Sequence, residues 1–279
     1  MRILYEDNHL LVVEKPPRMP VQSDNSQDTD LLTLLKADIK ERYNKPGLVF
    51  LGMVHRLDRP AGGVMVFGRT TKAASRLSEQ IRDRTFEKEY HAIVIGTPTE
   101  PKGTLRNFLR KNTRTNNVEV VAPGVTGAQE ALLTFQVAAE KAGLTLLKIQ
   151  LETGRSHQIR VQMAAMGTPL FGDMRYGAQE NRAYMERLRQ YRQRKLGLPA
   201  DEPAADAAIT PGEADMLAHA VEDFTQQDSG KDQENRAHGE IALWSYRLSL
   251  IHPTKKERMT FYCPPPLRFP FTLFDFEVK

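Results

Sequence analysis

Cysteine and tryptophan each occur once among the 279 residues. The lone thiol, Cys263, closes no intramolecular disulfide, builds no multi-cysteine zinc site and suits a reducing cytosol. No apolar run approaches the roughly 20 residues that span a bilayer. The opening stretch MRILYEDNHLLVVEKP mixes charge with apolarity and lacks the uninterrupted core of a signal peptide. The nucleotide loops G-x-x-x-x-G-K-[ST] and G-x-G-x-x-G are missing, as are H-E-x-x-H and the G-x-S-x-G nucleophile elbow. The expectation is a cytoplasmic protein without metal or organic cofactor, whose chemistry rests on carboxylate, Tyr, His, Arg or Lys side chains. A glycosyl-type reaction at a carboxylate fits that inventory.

What is present is a globular balance, with 40% hydrophobic and 27% charged residues. The net charge of +4 is unevenly spread. Between Ala178 and Glu240 there are 8 basic and 13 acidic residues, leaving 31 basic and 22 acidic, or +9, elsewhere. A body this basic suits a polyanionic partner, because Lys and Arg neutralise phosphates and release counterions.

Periodicity predicts strands over Ile3–Tyr5, His9–Val13, Gly63–Phe67 and Phe86–Ile95, and hairpins over Leu132–Ala138/Leu144–Leu151 and Trp244–Ile251/Met259–Tyr262. Helices are predicted over Leu31–Tyr43, with caps between Asp28 and Asp30, from a Thr70 cap to Arg82, and from Ser156 to Gly167. Strands outnumber helices and adjoin by short turns, so the expected class is α+β with a largely antiparallel sheet. The stretch 178–240 reads as a charged insertion: an exposed Arg/Gln-rich helix over Tyr184–Leu196, then a disordered acidic part too poor in large apolar residues to offset its ordering entropy.

Three polar clusters sit in apolar surroundings. His55-Arg56-Leu57-Asp58 lies in a loop that feeds a buried strand. Taken alone, it reads as an Arg–Asp pair supporting a turn. In Lys88-Glu89-Tyr90-His91, period two places Lys88, Tyr90 and Ala92 on one face. Tyr90 taken singly is a core aromatic with its hydroxyl at the rim. Gly154-Arg155-Ser156-His157-Gln158-Ile159-Arg160 opens a helix, with His157 and Arg160 on one stripe and Ile159 on the next. A capped helix with solvated cations would account for it equally well. Gly172-Asp173-Met174-Arg175-Tyr176-Gly177 reads as a tight turn system.

Together the clusters resemble the RluA family of RNA pseudouridine synthases. HRLDRPAGG, KEYHAIVIG, LETGRSHQIRV, GDMRYG and IALWSYRLSLIHP follow one another in that family's order. The chain departs from the family pattern at Arg18-Met19, at Ala61-Gly62, at Gln162 and at Trp244. The resemblance implies the pseudouridine synthase catalytic fold over 1–177 and 241–279, without a separate N-terminal RNA-binding domain. It implies isomerisation of uridine in structured rRNA or tRNA by a monomer, with neither metal nor membrane involved. Asp58 would be the essential carboxylate, paired with Arg160, and Tyr90 would pack on the uracil and move protons. Arg56 would fill the place of the extruded base. His55, Lys88, Ile159, Arg155 and His157 would complete the substrate contacts. A glycoside or nucleoside hydrolase built on the same carboxylate, and a non-catalytic RNA-binding protein on the same fold, are the competing classes. The first needs a second carboxylate to activate water, and no such pair stands near Asp58 in the sequence.

Overall fold

A computed structural model of the chain describes residues 1–24, 28–195 and 240–276. The N-terminal hairpin joins β1 (Ile3–Glu6) to β2 (Leu10–Lys15), and Asp7 makes the turn by accepting the backbone N–H groups of His9 and Leu10. Helix α1 (Leu31–Arg42) starts where the Asp30 side chain accepts the N–H of Thr33. It lays Leu31, Leu35 and Ile39 on the sheet. Thr70 caps α2 (Thr71–Arg82) in the same way, through the N–H of Ala73. Between the two helices lie the short β3 (Gly52–Met53) and β4 (Gly62–Gly68).

Next come β5 (Glu87–Ile95), β6 (Lys102–Asn112), β7 (Asn117–Val121), β8 (Gln129–Lys141) and β9 (Leu144–Leu151). Helices α3 (Gln158–Ala165) and α4 (Ala178–Lys195) follow, and β10 (Leu243–Ile251) and β11 (Arg258–Tyr262) close the described chain. The strands form one sheet in the order β1-β2-β4-β10-β5-β9-β8-β6-β7, with β3 on β4 and β11 on β10. Every ladder is antiparallel except the short parallel contact of β4 with β10. This is the α+β class that the sequence predicts.

Both faces of the central strands are covered, so β4 and β5 are buried almost throughout. On one face Ile93 and Ile95 meet Leu77, Trp244 and the aromatic C-terminal run Phe269, Phe271 and Phe274. On the other, Tyr90, Ala92 and Val94 meet Ile149 of β9, Ile159 and Met163 of α3, and Leu35 of α1. This second face carries the functional clusters.

Helix α4 corrects one expectation. It is not an exposed arm of an insertion, because Asn181, Tyr184 and Leu188 share one buried face. Tyr184 is fully buried, donates its hydroxyl to Ala142 O at 2.9 Å and meets Phe171 edge-on. The folded body therefore continues past residue 177, well into α4. The acidic remainder, 196–239, lies outside the described residues.

Candidate active site

Asp58 projects from the loop between β3 and β4, and its backbone is held from both sides. Its carbonyl accepts the N–H of Ala61 at 3.0 Å. Behind it the fully buried Lys15, at the end of β2, donates to the carbonyls of Pro16, Arg59 and Ala61 at 3.0, 3.1 and 2.6 Å. Burial, only partly offset by the field of Asp58, lowers the Lys15 pKa to about 7. The loop then enters β4 through Gly63, whose φ of +113° and closeness to β10 exclude a side chain: a Cβ there would lie 2.3 Å from Ser245 O. Arg59 leads away from the site toward Arg18 O, Asp24 and Asp28.

Arg160 comes from the first turn of α3 and is 7% exposed, so the reading of solvated cations fails. Its guanidinium grips Asp173 bidentately, with Nε to Oδ2 at 2.7 Å and Nη2 to Oδ1 at 2.8 Å. Nη1 remains, 3.5 Å from Asp58 Oδ2. Burial works against the charge on Arg160, but Asp173 and then Asp58 outweigh it and raise its pKa. The expected pairing with Asp58 is therefore the weaker half of a triad whose main anchor is Asp173. Reading GDMRYG as a plain turn missed that carboxylate, because nothing in the composition of the turn marks it.

The same turn supplies Tyr176. Its hydroxyl accepts the N–H of Val118 at 3.0 Å and shares a 2.6 Å hydrogen bond with Nδ1 of His157. Its ring lies under the guanidinium of Arg160, 5.1 Å from the centroid. His157 opens α3 with a left-handed φ of 51°. Burial lowers its pKa to about 4 despite the field of Asp58, so it is neutral at pH 7.

Tyr90 of β5 is buried on the same face, and burial together with the field of Asp58 raises its pKa. The phenol is thus a proton-bearing group, not a phenolate. With Arg56, Asp58, Leu151, Ile159, Arg160 and Leu243 it lines a cavity of about 70 Å³. Arg155 and His157 also border this cavity, and Arg155 donates to Glu130 O at 2.9 Å. Arg56 is exposed at the mouth, where it donates to Ser156 Oγ at 3.4 Å.

His55 and Lys88 stand apart from Asp58, on a second cavity of about 270 Å³ that shares Arg56, Tyr90, Leu151 and Gly154 with the first. The His55 imidazole accepts the N–H of Val66 through Nε2 at 3.1 Å and packs against Phe86. Burial, reinforced by Lys88, lowers its pKa to about 3, so it serves the loop as a neutral peg. Among the described residues no group of acids, histidines or cysteines is arranged to hold a metal ion, and no helix is long and apolar enough to cross a membrane.

The architecture and the motifs have counterparts among known proteins. A family profile described as RNA pseudouridylate synthase matches residues 9–165. Ribosomal large subunit pseudouridine synthase D of Vibrio cholerae is 30% identical over 267 residues, covering 95% of this chain and 68% of that protein. The same-named protein of Pseudomonas aeruginosa is 33% identical over 214 residues, covering 73% and 65%. An uncharacterised RNA pseudouridine synthase of Bacillus subtilis, YhcT, is 35% identical over 178 residues, or 63% of this chain and 57% of that one. The solved structure of human RNA pseudouridylate synthase domain containing 4 superposes with a TM-score of 0.66 at 22% identity, covering 98% of this chain and 91% of that one, which shows a common fold. The chain belongs to the RNA pseudouridine synthases, the isomerases that convert uridine to pseudouridine.

Proposed function

We propose that the chain isomerises a uridine of large-subunit ribosomal RNA, with Asp58 as the reacting carboxylate. The observation that carries the assignment of Asp58 is its setting: a carboxylate 22% exposed at a cavity walled by Tyr90, Ile159 and Leu243, with Arg160 Nη1 at 3.5 Å. A carboxylate is required both for attack at C1′ and for removal of a proton from C2′, and the guanidinium of Arg160 faces this one. The relatives named as ribosomal large subunit synthases favour rRNA over tRNA.

The base cannot react while stacked and must be extruded. Arg56, exposed at the mouth, offers a planar guanidinium to fill the vacated place. Once the N1–C1′ bond is broken, uracil turns between Tyr90 and Ile159 and rejoins through C5, and the C5 proton leaves as N1 gains one. The RNA mass is unchanged, which separates this reaction from a hydrolase releasing uracil.

Two measurements test it. Pseudouridine mapping across total RNA after gene deletion should lose a site in the large ribosomal RNA, whereas a loss confined to tRNA overturns the substrate. Asp58→Asn should form no detectable pseudouridine while binding RNA within several-fold of wild type, because phosphate contacts dominate affinity. Turnover at a tenth of the normal rate would remove Asp58 from the chemistry.

A further inference from the structure

Lys88 is left over once this chemistry has been assigned. Its side chain is buried to 94%, with 6% exposed, yet among the described residues no hydrogen bond or ion pair engages its ammonium. A buried charge without a partner is costly, burial accordingly lowers the pKa of this amine, and an anion seated beside it would offset that cost. The field of Glu152 reaches it, but no ion pair joins the two. Nor is the nitrogen sealed away, since it is absent from the buried polar atoms without partners. It lies 3.6 Å from the position that a Cβ on Gly154 would take.

Gly154 is one of the four residues where the uridine cavity and the second cavity meet. The second cavity, at about 270 Å³, has room for a phosphate group. Apart from Tyr90, its side-chain polar groups all belong to His55, Arg56 and Lys88, and the rest of the lining is Met53, Val54, Ile81, Leu151 and Gly154. No carboxylate lines it. A pocket whose charged groups are both cations, lying against a uridine site, suits an anion carried by the same substrate.

We propose that Lys88 forms a phosphate subsite, bordered by Arg56, that takes one of the two phosphodiesters flanking the extruded uridine. The inference rests on the reading of the neighbouring cavity as a uridine site. It supplies what that cavity lacks, a fixed point on the backbone that sets how deep the nucleotide enters. Lys88 is then a binding residue of the substrate backbone with no step in the chemistry.

The test uses the full chain carrying Asp58→Asn, so that binding is read without turnover. The probe is a seven-nucleotide RNA with one central uridine between adenosines, unmodified or with a neutral methylphosphonate on the 5′ or the 3′ side of that uridine. Lys88→Met should weaken binding of the unmodified RNA roughly tenfold, the scale of one hydrogen bond to a charged group. It should flatten the plot of log affinity against log salt by about 0.7, the share of one single-strand phosphate. One of the two methylphosphonates should cost the Lys88 protein the same factor and the Lys88→Met protein nothing further, and Lys88→Arg should restore both affinity and slope.

An unchanged salt slope, or equal methylphosphonate losses in both proteins at both positions, overturns the proposal. Those results would leave Lys88 facing a base carbonyl or serving the fold alone. Pseudouridine formation by the protein with Asp58 intact is scored separately. Its absence would count against the proposed function, while the coupling measurement would still decide the subsite.

Discussion

Arg160 and Asp173 form a bidentate pair, at 2.7 and 2.8 Å, that aims the third guanidinium nitrogen at Asp58. Asp173 is held in turn, because its Oδ1 accepts the N–H groups of Arg175 and Tyr176. Asp58 thus faces a cation whose direction is fixed by a second carboxylate that is 1% exposed. Such an arrangement separates two tasks: Asp173 orients the arginine, which leaves Asp58 free for the role proposed for it.

Asp173→Asn keeps the shape of the side chain and removes half of a buried ion pair. Breaking such a pair costs on the order of 3–5 kcal/mol when one charge is stranded. Asp58 can recapture some of that cost by drawing Arg160 closer, which disables it as a reacting group. The expected outcome is a lower melting temperature together with a fall in kcat of at least tenfold, at nearly unchanged RNA affinity. Wild-type kcat in a destabilised protein would show that Arg160 needs no help from Asp173.

Tyr90→Phe separates ring from hydroxyl. The ring is packed among Ala92, Ile149 and Ile159, so the variant should fold and bind RNA normally. Burial keeps the phenol protonated, so in the proposed reaction it can donate to uracil as the base turns. Turnover is expected to drop by the 10²–10⁴ typical of a lost general acid–base group. Unaltered turnover at saturating RNA would restrict Tyr90 to packing.

Much of this arrangement was legible in the sequence, for identifiable reasons. Asp30 and Thr70 cap helices because a short polar side chain before an apolar period satisfies an orphan N–H. The face of β5 carrying Tyr90 followed from alternation alone, which the pleat enforces. What escaped is what depends on partners distant in sequence. The hairpin β6/β7 is largely exposed and carries Arg106, Arg110 and Glu119, so no apolar period marks it. Lys15 lies beyond the predicted strand His9–Val13, and its burial comes from three carbonyls, one next in the chain and two more than forty residues away. Asp173 sits in a turn whose composition is ordinary, and only the arrival of Arg160 from α3 makes it part of the site.

Asp7 gives the fold an acid-sensitive joint between the first hairpin and the turn after β10. Burial opposes its charge, but the N–H groups of His9 and Leu10, the Tyr5 hydroxyl and His252 lower its pKa to about 2. The folded value lies below that of an unfolded aspartate, near 3.9. The contribution is therefore complete above about pH 4 and is lost as pH falls through 2, by linkage on the order of 1–2 kcal/mol. Asp7→Asn should melt lower than wild type at pH 7, and the gap should shrink as pH approaches 2. A gap that is constant from pH 7 to pH 2 would assign the loss to packing.

Lys15 predicts a slope of the same sign in the alkaline range. Its pKa of about 7 in the fold lies below the ordinary lysine value of 10.5. Between those values the unfolded chain holds a proton that the folded chain has released, so stability rises with pH across that window. Lys15→Met removes the titration but leaves the carbonyls of Pro16, Arg59 and Ala61 without their donor. Denaturation of the variant should show a lower midpoint at pH 9 and a flatter dependence between pH 7 and 10. An equally steep dependence would place the titrating group elsewhere.

The last prediction concerns α4, which the charge pattern had joined to the acidic stretch beyond it. Asn181 accepts the N–H of Gly172 at 2.6 Å and donates to Leu170 O at 3.0 Å and Gly177 O at 2.8 Å. Those bonds clamp both ends of the turn that carries Asp173 and Tyr176. Gly172 itself is locked, with φ of +83° and a would-be Cβ 2.4 Å from Glu240 O. One turn further along α4, Tyr184 pins the helix to the β8/β9 turn through Ala142. Replacing Gln179–Gly239 with a short Gly/Ser linker should therefore give an insoluble or molten protein. Tyr184→Ala should cost on the order of 3–5 kcal/mol, as for other large buried aromatics. Asn181→Ala should lower kcat more than it raises KM for RNA, because it loosens the anchor of Arg160 and leaves the RNA-facing cavities intact. A linker variant that unfolds cooperatively and keeps its activity would show that α4 adds nothing to the site, and wild-type kcat in Asn181→Ala would break the link between that helix and Asp58.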